Sequence, residues 1–153
     1  MSMTPSAYAQ ELSALYETDF NLWLEQTIQL LKTQQFQYLD LAHLIEELEG
    51  LGKRDKRELQ SRLTTLFEHA LKRKYVASPY DYRGWVSTLK RTQIEMKRLL
   101  NNSPSLRHYC LVIWDECYRD ALAIVTIEYD ADFPQVCPFP ADLDRLLREP
   151  FWE

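Results

Sequence analysis

The side chains best suited to chemistry gather in one stretch, LDLAHLIEELEGLGKRDKRELQSRLTTLFEHALKRKY, Leu39 to Tyr75. It holds His43 and His69, carboxylates that include Asp40 and Glu47, and a dense basic block. Imidazoles and carboxylates on facing helices are the usual donors of a metal site inside a helical bundle. At helical spacing Asp40, His43 and Glu47 share one flank of a helix, with His69 on the next. A hairpin turning near Gly52 would put Glu47 about 7 Å and His69 about 25 Å below the turn. The two would then miss a shared ion by roughly 18 Å. His69 would need its other ligands from a later helix, where Asp115, Glu116 and Asp120 are available. None of this matches the Glu-x-x-His pairs of di-iron bundles, and HLIEE is one histidine short of the inverted zinc-protease motif. The metal candidates are His69, Glu47, His43 and Glu116, set against solvated or helix-capping polar residues. No cofactor is expected.

On a helical wheel His69 lies about 120° from the centre of its apolar stripe, beside Arg62 and Arg73. A histidine at such a boundary usually hydrogen-bonds to a neighbouring helix, although its near-neutral reference pKa would also suit acid–base work. Catalysis would need a nucleophile as well. Ser61, Ser78, Cys110, Cys117 and Cys137 fall in no recognisable motif, so the reading leans away from an enzyme.

Charge is segregated along the chain. Residues 1–52 carry one Lys against eight acids, residues 53–100 carry 13 basic residues against five acids, and residues 101–153 carry four Arg against ten acids. In the basic middle, Lys53, Arg54, Lys56 and Arg57 crowd the start of one helix. Lys90 and Lys97, and Arg91 and Arg98, stand seven apart on the flanks of another. Such cations could neutralise nucleic-acid phosphates. Alternatively, basic helices lie beside acidic ones and the charges cancel, and KRKY at Lys72–Tyr75 simply complements a helix C-terminus. A sequence pI near 5.3 is untypical of a nucleic-acid binder.

The elements that must position these residues are helical. Only three glycines occur in 153 residues, and apolar residues recur at helical spacing almost throughout. Asp19 is an N-cap for a helix with Phe20, Trp23, Leu24, Thr27 and Leu31 on one stripe. Asp40 caps a short helix whose apolar face is Leu41, Leu44, Ile45 and Leu48 and which ends at Gly50 and Gly52. Asp55 with Glu58 starts the next, which buries Leu59, Leu63, Leu66, Phe67, Ala70 and Leu71. A further helix places Trp85, Leu89, Met96, Leu99 and Leu100 together and stops at Asn101-Asn102. Ser103-Pro104 starts another, with Leu106, Cys110, Ile113, Cys117, Ala121 and Ile124 on one face. LAIVTIEY is β-branched enough for a strand, but the helical period runs into it unbroken. The proline-rich tail has room for a turn or two of helix around Asp142–Leu147. Cys110 and Cys117 lie about 10 Å apart on a helix, too far for a disulfide.

Four tryptophans and nine tyrosines exceed what a small core needs. EPFWE and SPYDYRGW put aromatics beside charge, as at protein–protein interfaces. Equally, the tail could fold back and bury Phe151 and Trp152. No apolar run approaches a membrane span, and MSMTPSAYAQEL lacks a basic-then-apolar signal pattern, so a cytoplasmic protein with no membrane partner is expected.

The segments YETDFNLWLEQTIQLL, LDLAHLIEELEGLGKRDKRELQSRL, LFEHALK, NNSPSLRHY and DFPQVCPF, in this order, resemble the bacterial, largely cyanobacterial family called domain of unknown function 29. The resemblance runs from about Tyr16 to the C-terminus and centres on the LDL…LIEELE.LG…K block. It implies an all-helical domain and no established activity. His69 falls on the family's histidine, whereas His43 stands where asparagine is commoner.

The expectation is an all-α fold: a compact bundle of four to five main helices with the proline-rich tail packed across it. It forms a single domain over 1–153, in which residues 1–15 could be a loosely attached N-terminal helix. The expected function is a protein-interaction or regulatory module whose partner is another protein or a second copy. Nucleic-acid binding through the basic residues is the alternative, and metal-dependent activity comes third.

Overall fold

The computed structural model describes residues 3–153, which are mostly helical, with short connections except for the irregular stretch 129–142, and contain no strand. Seven α-helices and one 3-10 turn follow one another along these residues. The chain divides into two compact units, one up to Lys53 and the other Arg54–Glu153.

The first unit is built from α1 (Pro5–Thr18), α2 (Phe20–Lys32), a 3-10 turn (Phe36–Tyr38) and the beginning of α3 (Leu41–Tyr75). Thr4 caps α1, its hydroxyl accepting from the Ala7 amide, with Pro5 supplying the pre-set first helical residue. Asp19 serves two helices. Its amide closes α1 on the Leu15 carbonyl, and its carboxylate accepts from the Leu22 amide to open α2. The apolar stripe of α2 is rotated from the one expected. Trp23, Thr27 and Leu30 face inward, while Phe20, Leu24 and Leu31 are exposed. After α2, Gln34 takes a left-handed conformation (φ 57°), and the Gln35 amide reaches back to the Leu30 carbonyl at 2.9 Å. That geometry satisfies a terminal carbonyl and turns the chain toward α3.

The expected break at Gly50 and Gly52 does not form. α3 is one helix of 35 residues that runs through both glycines, so there is no hairpin, and Asp55 opens no new helix. A glycine stops a helix by adopting positive φ, and neither glycine does so. Each costs about 1 kcal/mol in a helix interior, which the surrounding Leu, Glu, Lys and Arg offset as good helix formers. Glu49 also precedes Lys53 by four residues, a favourable order on adjacent turns.

The second unit holds the larger core. From α3 it buries Leu59, Leu63, Leu66, Phe67, Ala70 and Leu71, the residues the helical period selects. α4 (Pro79–Asn102) adds Trp85, Leu89, Met96 and Leu100. Ser103 terminates α4 by donating its amide to the Leu99 carbonyl, so the next helix starts two residues later than the Ser-Pro signal suggests. That helix is α5 (Leu106–Val112), and a break at Ile113 separates it from α6 (Trp114–Glu128). The buried face continues across the break through Leu106, Cys110, Ile113, Cys117 and Ala121. Val125 rather than Ile124 then carries it on. LAIVTIE is helical.

α7 (Leu143–Arg148) is capped by Asp142 and buries Leu143, Leu146 and Leu147. Gln93, buried on α4, donates to the carbonyls of Leu146 and Glu149 at 2.8 and 3.0 Å. Trp152 lies in the same core. Phe67 is its aromatic centre, edge-on to Trp114 and Tyr118 and stacked with Phe139.

Candidate functional site

The proposed metal ligands are not brought together. Among the described residues no three His, Cys, Asp or Glu side chains stand close enough to hold an ion. With α3 continuous, the hairpin that would have set the separation of Glu47 and His69 is absent, and the two residues fall in different units. Glu116 is exposed in the first turn of α6.

His43 instead enters a polar cluster that joins three helices of the first unit. Its Nδ1 lies 2.6 Å from Asp40 Oδ2 and 3.2 Å from Ser13 Oγ on α1. The same Asp40 oxygen accepts from the indole N–H of Trp23 on α2 at 3.1 Å, and both Trp23 and Asp40 are buried. Tyr16 stacks on the His43 ring at 3.9 Å and donates its hydroxyl to Glu47 at 2.6 Å. That bond to Glu47, ahead of burial and the neighbouring carboxylates, pushes the Tyr16 phenol up to about 12.

Serine, histidine and aspartate in contact suggest a nucleophile relay, but the geometry denies it. A relay needs the carboxylate on one imidazole nitrogen and the hydroxyl on the other. Here both meet Nδ1. An ionised carboxylate only accepts, so Nδ1 carries the proton toward Asp40 and has no lone pair left to activate Ser13. The cluster is therefore a structural tie that satisfies a buried carboxylate and a buried indole. The spacing of Asp40 and His43, three apart on one helix, made their contact legible in the sequence. Ser13, Tyr16 and Trp23 join from 17 to 31 residues away, with no local signal.

In the second unit His69 Nδ1 stands 2.9 Å from the Thr65 carbonyl oxygen, so Nδ1 holds the proton and Nε2 is the free acceptor. Burial holds His69 below its ordinary value, partly countered by that bond. Burial raises the adjacent Glu68 carboxyl. Lys72, itself buried, lies 3.7 Å from Glu128 and 5.9 Å from the centre of the Trp85 ring. These are a buried cation with its counter-charge and a neutral imidazole. Burial pushes the Cys110 thiol up to about 12 and raises those of Cys117 and Cys137, which disfavours the thiolate at each.

The eight basic candidates divide. Lys53 belongs to the first unit and the other seven to the second. Lys56 places its ammonium 5.3 Å over the Tyr109 ring. None of the eight has a carboxylate within 4 Å among the described residues. The ion pairs go instead through His43, Arg62, Lys72, Arg107 and Arg145. Arg98 nonetheless lines a cleft with Asp55, Glu58 and Glu95, so acidic side chains lie near this one of the eight.

The first unit also leaves apolar surface uncovered. Leu41, Ile45, Leu48 and Leu51 on α3 are each more than half exposed, at 57, 52, 59 and 53%. Phe20, Leu24, Ile28 and Leu31 form a second exposed row on α2. Among the described residues no helix is long and apolar enough to cross a membrane.

No curated protein and no solved structure matches the chain. The family described as "Domain of unknown function DUF29" does, over residues 15–152. That span takes in α2 to α7 complete, the Tyr16, Trp23, Asp40 and His43 of the first unit's tie but not Ser13, and the core of the second unit, and the chain belongs to this family.

Proposed function

We propose that the chain is a protein-interaction module whose contact surface is the uncovered apolar face of the first unit. One observation carries the reading: Leu41, Ile45, Leu48 and Leu51 recur at steps of four, three and three on α3 and stay more than half exposed. Leucines at this spacing occupy one helical face and match the anchor pattern by which helices dock on apolar grooves. The unit around them carries eight acids against two lysines. The complementary ligand is therefore an amphipathic helix of another protein with a leucine-rich face and basic flanks. A second copy would bring like charge to like charge and is disfavoured on this face.

The test is a fluorescence titration of the full chain with a synthetic amphipathic peptide of leucine and lysine, beside its leucine–glutamate counterpart. Saturable binding of the basic peptide, lost in Leu48→Asp and absent for the acidic one, is the expected result. Equal binding of both peptides, or binding untouched by Leu48→Asp, would remove this face from the function. A dimer in sedimentation that Leu48→Asp dissolves would replace the partner with a second copy.

A further inference from the structure

We propose that the outward face of α4 is a binding surface for the phosphate backbone of a nucleic-acid duplex. It belongs to the second unit, whereas the apolar face of the proposed function belongs to the first. At 100° per residue, positions 83, 90, 91, 97 and 98 lie within an arc of about 120° turned away from the buried side of Trp85, Leu89, Met96 and Leu100. Arg83, Lys90, Arg91, Lys97 and Arg98 occupy them. Four are exposed and Lys97 is half-buried. From Arg83 to Arg98 the row extends about 22 Å along the helix. Arg83 was not among the candidates drawn from the sequence; the helical face adds it.

What makes this row available is the placement of the carboxylates. α4 contains only two, Asp81 and Glu95. Asp81 accepts from the Ser78 hydroxyl at 2.6 Å in the first turn. Glu95 pairs with Arg62 of α3 at 2.6 Å. Both are held off the face, and none of the five cations meets a carboxylate within 4 Å among the described residues. Arg98 lines a cleft with Asp55, Glu58 and Glu95 without pairing to them, and five like charges along one face repel one another unless an anion lies across them.

The chemistry favours a duplex backbone over other anions. Double-stranded nucleic acid presents one charge per about 1.7 Å of axis, so a 22 Å row spans about 13 phosphates. Between its two ends the face offers Ser87 and Ile94, and Tyr80, exposed on the same side three residues before Arg83, is a single ring where single-strand binders stack successive bases on several. Between those ends it carries no Asn or Gln to read adenine, and its arginines are assigned to phosphates. Binding is thus independent of sequence and governed by salt. The acidic first third of the chain lowers the net charge.

The experiment is fluorescence anisotropy of the full chain with a random-sequence duplex of about two helical turns, from 50 to 200 mM salt. A single strand and polyglutamate of equal charge are the competitors. Five phosphate contacts give a slope of log K against log salt near −4.5, which is about a 500-fold loss over that range. Lys90→Gln with Lys97→Gln should reduce the slope by about 1.8, while Lys90→Arg with Lys97→Arg keeps it. Unchanged circular dichroism in the glutamine variant ties the loss to the charges rather than to folding. Absence of binding at 50 mM salt overturns the proposal, as does a slope that the glutamine variant leaves unchanged. Polyglutamate competing on equal terms would assign the face to an acidic protein instead. These results are independent of Leu48, so failure here and failure of the apolar face are separable.

Discussion

The two units solve the burial problem differently. Among the described residues, the second unit buries twenty-five apolar side chains and the first, half its length, buries four: Leu12, Trp23, Leu30 and Leu39. A short chain segment has too much surface for its volume to hide its apolar residues. The first unit compensates with polar specificity. Its centre is the Asp40 carboxylate between the Trp23 indole and the His43 imidazole, and it leaves leucines outside. The second unit can keep its apolar residues inside and carry its charge on an unobstructed helical face. The difference teaches where to look for partners: apolar contact in the small unit, ionic contact in the large one.

The largest effect should come from breaking the large core. Phe67→Ala removes the ring that touches Trp114, Tyr118 and Phe139 and should cost about 3–5 kcal/mol. Leu48→Ala, on the uncovered face, should stay within about 0.5 kcal/mol. Urea unfolding of both variants measures this contrast. Comparable losses would mean that Leu48 is buried in solution and that the two units do not differ as described.

A smaller loss should follow from cutting the tie of the first unit. Asp40→Ala leaves the buried Trp23 N–H without an acceptor, at about 1–3 kcal/mol. Hydrogen exchange should speed in α1 and α2 while α6 keeps its protection. Uniform acceleration along the whole chain would show that the units unfold as one. Asp40→Asn, which retains an acceptor for the indole, should lie between Ala and the parent.

The smallest effect concerns pH and belongs to the second unit. His69 has a folded-state value below its ordinary 6.5 because burial disfavours the imidazolium. Between the two values the unfolded chain binds more protons. Stability is therefore complete above about 6.5 and declines as pH falls from there toward the lowered folded value. Glu68, raised above its ordinary 4.5 by burial, acts in the opposite sense and gains stability as pH falls toward that value. Denaturant midpoints measured between pH 7 and 5 should decline less steeply in His69→Gln than in the parent. A parallel decline in both proteins would mean that the buried imidazole is not responsible.

Much of the helix map was legible because local chemistry set it. Asp19 caps the helix its position announces, and the period from Leu59 to Leu71 picks the buried face. Gly50 and Gly52 misled because a glycine only permits a helix to end. Nothing there takes the positive φ that would end it. The stripe on α2 was rotated because Phe20 and Leu31 are as apolar as Leu30. Which of them faces inward depends on where α1 lies. The candidate faces were half legible. The cations of α4 stood at steps of seven in the sequence, but their freedom from counter-charge depended on Arg62 and Ser78 engaging Glu95 and Asp81.

Pattern along the chain was enough to show a helical protein with acidic ends and a basic middle, and to pick much of the larger core, though not Val125 over Ile124 or the buried Phe133 and Phe139. These follow from periodicity and charge, properties of neighbours along the chain. Only the tertiary structure decided that Ser13, Trp23, Asp40 and His43 meet, and that Ser13 and Asp40 meet at one nitrogen, where a tie forms and a relay does not. It also decided which leucines stay uncovered and which cations stay unpaired. Contacts between residues distant in sequence depend on how helices pack, and packing follows from the summed fit of many side chains that no local pattern encodes.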